Sequence, residues 1–141
     1  MHKTMTPQTN QPPLILSRED RDRLLDLAAA SIDRIPDVAQ RLLEEADRAA
    51  VAPADALPDD VVAMGCFVEF RDESSGELRQ VQLVYPAEAN ISEGRVSVLT
   101  LIGAALIGLR VGQSISWPTR RGEERRLTVL RVARAALRAA P

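Results

Sequence analysis

Aromatic side chains are scarce in this chain: Phe67, Phe70, Tyr85 and Trp117 are the whole set, 3% of 141 residues. Each is explained as sheet core or as a cap at a strand end. Cysteine is scarcer still. A lone Cys66 excludes an intrachain disulfide, fits a reducing cytoplasm, and inside an apolar segment reads as a small buried hydrophobe. The sole histidine, His2, lies in a polar stretch with nothing to orient it as a nucleophile. No apolar run approaches the roughly 20 residues that span a bilayer. Residues 1–11 carry no apolar segment of the secretory kind. Charge of one sign is missing too: a formal net charge of −2 argues against a protein that coats nucleic acid with a basic face. No glycine-rich phosphate cradle occurs.

What is present divides into two halves. Residues 1–16 read as a loose, disordered tail, polar and proline-containing at its start. From Ser17 the spacing becomes helical. Ser17 with Asp20 three residues on resembles a capping box, with Asp in place of the commoner Glu or Gln. Leu24, Leu27, Ala28, Ile32 and Ile35 then recur near helical spacing. Pro36 ends that helix and suits the first turn of a second, where its missing N–H would have no partner anyway. Val38, Leu42, Leu43, Ala46 and Ala49 continue the pattern to about residue 52. The spacing predicts an antiparallel helical hairpin over 17–52, with helices of roughly 16 residues and about 24 Å each. Pro and Asp mark 53–60 as a linker.

Beyond it the period changes to two. Strands are expected at 61–71, 77–85, 95–99, 114–117 and 124–132, separated by turns at Ser74-Ser75-Gly76, Glu93-Gly94 and Arg121-Gly122. Residues 101–109 (LIGAALIGL) are apolar almost all round and too rich in alanine for a good strand. A short helix buried against the sheet explains them. The expectation is an α+β fold in which an antiparallel sheet over 61–141 wraps one short helix, with a frayed, basic tail after Val132.

Four stretches now carry a resemblance: Leu57-Pro58-Asp59-Asp60-Val61-Val62-Ala63-Met64, Val68-Glu69-Phe70-Arg71-Asp72, Leu83-Val84-Tyr85-Pro86, and Gly103-Ala104-Ala105-Leu106-Ile107-Gly108-Leu109-Arg110-Val111-Gly112. In this order they resemble the globular domain of the Rnk family, the regulators of nucleoside diphosphate kinase. The last is also similar to the segment (S/T)-x-I-x-x-A-L-(I/L)-G of the Gre transcript-cleavage factors. The match runs from about Leu57 to Val132. The N-terminal match rests on the hairpin and on Asp47-Arg48-Ala49. The resemblance implies an FKBP-like domain that docks on RNA polymerase at the rim of its secondary channel, with a short coiled-coil hairpin pointing inward.

The chemistry implied by those relatives is then weighed on the residues. A Gre-like tip needs two carboxylates together in the loop to hold one hard cation. Here the turn reads Ser31-Ile32-Asp33-Arg34-Ile35-Pro36-Asp37, and the Gre pattern D-x-x-E-N is absent. Asp37 also has an ordinary role, favouring the start of the second helix through its dipole. Phosphate relay of the nucleoside diphosphate kinase kind would need an oriented histidine. Prolyl isomerisation would need an aromatic wall that four scattered rings do not build, and a fold by itself confers no activity. Arg120, Arg121, Arg125 and Arg126 crowd the last hairpin turn, as a solvated turn or as an electrostatic contact with an acidic surface of polymerase or nucleic acid.

The expectation is therefore a non-enzyme without cofactor or metal, cytoplasmic, not membrane-bound and monomeric, with RNA polymerase as its partner and at most a weak DNA or other nucleic-acid contact. Asp33, Arg34, Ile35 and Asp37 are the expected channel tip. Leu101, Ile102, Ala105 and Leu106 are the expected docking residues of the globular domain. The alternatives are a Gre-like cleavage cofactor that uses Asp33 and Asp37, and an interaction module with a different partner.

Overall fold

The computed structural model describes residues 12–118 and 122–134. It opens with a strand inside the expected tail. Strand β1 (Ile15–Ser17) pairs in parallel with β2 (Ala50–Ala52), Ile15 opposite Ala50. Leu14 and Leu16 are buried, and the Ile15 N–H donates to the Gly108 carbonyl at 3.1 Å. The tail expected over 1–16 is thus corrected at its end: Leu14 and Leu16 are driven into the core, with Ile15 half-buried between them, despite the prolines before them.

Helix α1 (Arg18–Ser31) begins as the cap predicts, with the Ser17 hydroxyl accepting from the Asp20 N–H at 3.1 Å. Helix α2 (Pro36–Arg48) has its proline in the first turn. At 14 and 13 residues the helices are shorter than expected. Their buried stripes, Leu24-Ala28-Ser31 and Ala39-Leu42-Ala46, follow the three-and-four spacing of one helix face. The linker is anchored: Ala54–Ala56 forms a 3-10 turn, Leu57 is buried, and the Arg110 guanidinium donates to both carboxylate oxygens of Asp60 at 3.0–3.2 Å. Leu57 packs with Val61, Ala63 and the buried thiol of Cys66 in a small satellite cluster.

The second half holds β3 (Phe67–Asp72), β4 (Glu77–Val84), β5 (Arg95–Ser97), α3 (Leu101–Leu106), β6 (Ser114–Pro118) and β7 (Glu124–Ala133). The five strands form one curled sheet in the order β5-β4-β3-β7-β6. The expected all-antiparallel sheet is corrected at one edge, since β5 runs parallel to β4 with Leu83 opposite Val96. Two 3-10 turns, Pro86–Glu88 and Ile91–Glu93, carry the chain back before β5 begins. The first strand also starts later than the period suggested. Val61 and Val62 are buried outside the sheet, and Gly65 at φ +86° turns the chain into β3.

Helix α3 lies where the alanine-rich segment predicts, with Thr100 accepting from the Gly103 N–H at 3.0 Å. It sits so close to the end of β5 that a Cβ on Gly103 would come 2.2 Å from the Ser97 carbonyl oxygen. Only glycine fits there. The hairpin is no free-standing arm: Leu24, Ala28, Leu42 and Ala46 belong to one core with Phe70, Leu83, Leu106 and Trp117.

Candidate functional site

The tip is a tight turn. The N–H groups of Arg34 and Ile35 both donate to the Ser31 carbonyl, at 3.1 and 3.0 Å, and the Ala39 N–H donates to the Ile35 carbonyl at 2.9 Å. These bonds satisfy the backbone around Pro36 and leave the side chains outward. Asp33, Arg34 and Asp37 are exposed and Ile35 is half-buried. Among the described residues, none of those three charged side chains forms an ion pair. Asp33 lies in the loop two residues after α1, while Asp37 stands in the first turn of α2 beyond Pro36. The two carboxylates are not gathered with any third His, Cys, Asp or Glu into a metal-holding group among the described residues.

The expected docking residues split by burial. Leu101 is 44% exposed and Ile102 is half-buried. Ala105 and Leu106 are 0% exposed, so they serve the core and cannot touch a partner. The error has a simple cause: a six-residue helix packed on a sheet shows solvent its first turn and buries the rest. Sequence reasoning missed Ile91, which is 78% exposed in the 3-10 turn before β5. A large apolar residue among Asn90, Ser92 and Glu93 was the available signal. Ile91 and Leu101 flank the edge strand β5 in sequence, one before it and one after.

Of the basic cluster, Arg120 and Arg121 lie outside the described residues. Arg125 is engaged, donating to Asp72 Oδ2 at 2.6 Å. Burial works to raise the Asp72 carboxyl, but N–H donors from Ser74 and Ser75 and the Arg125 guanidinium outweigh it and hold the group below the usual range. Arg126 is exposed.

The base of the hairpin holds a denser set of polar contacts than the sequence announced. Asp20, expected to return to the cap, instead accepts from the Met64 N–H at 3.2 Å and from the Tyr85 hydroxyl at 3.3 Å. The Arg23 guanidinium lies over the Tyr85 ring, 4.0 Å from its centre. Burial and the negative charge of Asp20 push the Tyr85 hydroxyl up to about 12, against the opposing charge of Arg23. An open hollow of about 500 Å³ lies here between α1 and the end of β4.

On the second helix, Arg41 reaches over Trp117, 5.6 Å from the ring centre. Glu45 is buried between Arg48, at 2.6 Å, and Arg41, at 3.8 Å. Burial holds the Arg41 guanidinium below its ordinary value, against the pull of Glu45 and Glu44. Arg48 also donates to the Pro12 carbonyl at 2.7 Å. With α2 pinned at Arg41, the tip at Pro36 stands only about 8 Å further along the axis.

Two family models divide the chain between them. Residues 12–51 match the Rnk N-terminus, and residues 57–134 match the C-terminal domain of the transcription elongation factors GreA/GreB. The regulator of nucleoside diphosphate kinase of Escherichia coli (strain K12) is 39% identical over 122 residues, which cover 86% of this chain and 89% of that one. The chain belongs to the Rnk family. Its Gre-like half extends the likeness to other transcription factors. The transcription inhibitor protein Gfh1 of Thermus aquaticus is 35% identical over 99 residues, 67% of this chain and 56% of the inhibitor. A solved GreA/GreB elongation factor from Nitrosomonas europaea superposes with a TM-score of 0.68 at 34% identity, covering 87% of this chain and 99% of that one. These relatives of the Rnk chain are named as regulators and transcription factors, not as enzymes.

Proposed function

We propose that the protein binds RNA polymerase at its secondary channel and excludes Gre factors without stimulating transcript cleavage. In this reading the FKBP-like domain docks on the channel rim through Leu101 and Ile102 after β5 and Ile91 before it. The hairpin tip, with Asp33, Arg34, Ile35 and Asp37, enters the mouth. It works as a cytoplasmic monomer, with Arg126 and its neighbours in reach of a weak nucleic-acid contact.

One observation carries the non-catalytic part. The hairpin is held against the sheet as far as Arg41, leaving a short tip whose two carboxylates stand on either side of Pro36. A hard cation needs oxygens that converge on it, and these arise from different turns of the backbone. The names of the relatives, elongation factors on one side and a transcription inhibitor on the other, favour a polymerase partner.

The test is competition for purified core polymerase against a Gre factor, joined to a cleavage assay on backtracked complexes. The expected outcome is displacement of the Gre factor and no cleavage above the polymerase's own. Magnesium-dependent cleavage abolished by Asp33→Asn with Asp37→Asn would instead make the chain a Gre-like cofactor. Absence of binding would make it a module for another partner.

A further inference from the structure

The chain has one tyrosine and one tryptophan, and an arginine from a different helix of the hairpin covers each. Arg23 of α1 lies 4.0 Å from the centre of the Tyr85 ring, and Arg41 of α2 lies 5.6 Å from that of Trp117. Both distances are within the range at which a guanidinium is held by a ring face. The two rings sit far apart in the sheet order: Tyr85 directly follows β4, next to the β5 edge, and Trp117 is on β6, the opposite edge. The hairpin is therefore fixed at two points that straddle the sheet.

The apolar contact between hairpin and sheet would not achieve this by itself. It is made largely by leucine and alanine, Leu24, Ala28, Leu42 and Ala46, and burial of such side chains has no direction. A planar guanidinium stacked on a ring does have one. The buried carboxylate of Glu45 adds to the effect. It ties Arg41 to Arg48 along α2, and Arg48 reaches the Pro12 carbonyl before β1. Among the described residues Arg41 Nε and Glu45 Oε2 have no hydrogen-bond partner, so this chain of charges is a poor stabiliser, and a role in fixing an arrangement accords with it.

We infer that Arg23 on Tyr85 and Arg41 on Trp117 are positioning contacts that set the direction of the hairpin tip relative to the sheet; the consequence for polymerase rests on the channel reading above. The experiment places spin labels on the full chain through Arg34→Cys at the tip and Leu78→Cys on β4, with Cys66→Ala to remove the native thiol. The distance distribution between them is then measured by pulsed electron paramagnetic resonance. With both arginines present it should be narrow. Arg23→Gln with Arg41→Gln should broaden it by about twofold while circular dichroism stays unchanged, because each orientation of the tip adds its own distance to the width.

A folded double variant with the parental width overturns the inference. If the double variant unfolds, the two single variants decide: intermediate widths support the inference and parental widths in both overturn it. Unlabelled double variant should compete with a Gre factor about tenfold less well. A broadened tip that competes as well as the parent keeps the positioning role and refutes channel filling by the hairpin. If the parent does not bind polymerase, the channel reading falls and the distance widths alone decide the positioning role.

Discussion

The hairpin's two ends obey different rules. At the base, Asp20, Arg23, Arg41, Glu45 and Arg48 each meet a partner in or beside the sheet, in the N-terminal segment or on the helix itself. At the tip, Asp33, Arg34 and Asp37 stand exposed, with order supplied by backbone bonds to Ser31 and Ile35. On the proposed reading, fold and partner contact are thereby assigned to separate residues. Changes at the base should alter stability and geometry, and changes at the tip should alter only what the tip touches.

The largest effect that would test this separation is expected beneath the base, on α3. Leu106 is 0% exposed and Leu101, five residues earlier, is 44% exposed. Leu106→Ala should cost about 2–5 kcal/mol by chemical denaturation, and Leu101→Ala within about 0.5 kcal/mol, as at surface sites. Equal costs would remove the distinction between buried and exposed residues drawn on that helix. Next comes Glu45→Ala. It strands two arginines, of which Arg41 and Arg48 keep side-chain exposures of 18% and 29%. That solvent access brings the expected loss down to about 2 kcal/mol, below the range for a fully buried pair. A neutral result would mean that the charge chain has no role in holding α2.

A pH titration sharpens the comparison at Tyr85. Its hydroxyl is pushed up to about 12, first by burial and then by Asp20, above the ordinary value near 10. A group raised in the folded state contributes stability in full below its unfolded value and loses it as pH rises through the folded one. The contribution should therefore be present below about pH 10 and disappear between about 10 and 12. Because the chain has one tyrosine, tyrosinate absorbance follows this group alone, and Asp20→Asn should bring its midpoint down. An unchanged midpoint would detach Tyr85 from α1. At the tip the expected effect is small. Asp33→Asn with Asp37→Asn should change stability by under about 1 kcal/mol, since exposed charges and a helix dipole contribute no more. Polymerase binding should stay within a few-fold.

The parts of the fold legible in the sequence were those decided locally. Ser17 as a cap, Pro36 in a first turn and the alanine-rich α3 each announce themselves within a few residues, and the structure places all three as expected. What escaped depends on partners far along the chain. Ile15 needs Ala50 and Gly108 to become a strand residue. The direction of β5 depends on two short turns, and no period-two pattern distinguishes parallel from antiparallel. At the site, the exposed tip was readable from its turn. The paired arginines on Tyr85 and Trp117 were not, because a ring and its cation lie on different elements and charged residues on a helix ordinarily signal a solvated face.

The central place of β3 has a consequence for synthesis. The segment from Leu14 to Ala52 holds both members of the β1–β2 pair and the two helices between them, although their stripes are finally buried in a core shared with the sheet. As the chain leaves the ribosome from its N-terminus, this unit has all its own pieces early. Strand β3 does not. Its pairing with β4 forms soon after it emerges, but its other edge, with Phe70 opposite Val129, waits for β7 near the end of the chain. From the emergence of β3 until that of β7 the middle of the future sheet presents a bare strand edge, the feature that invites pairing with other chains. A nascent chain stalled before Glu124 would carry its helices and the β1–β2 pair on an unfinished sheet and an incomplete core.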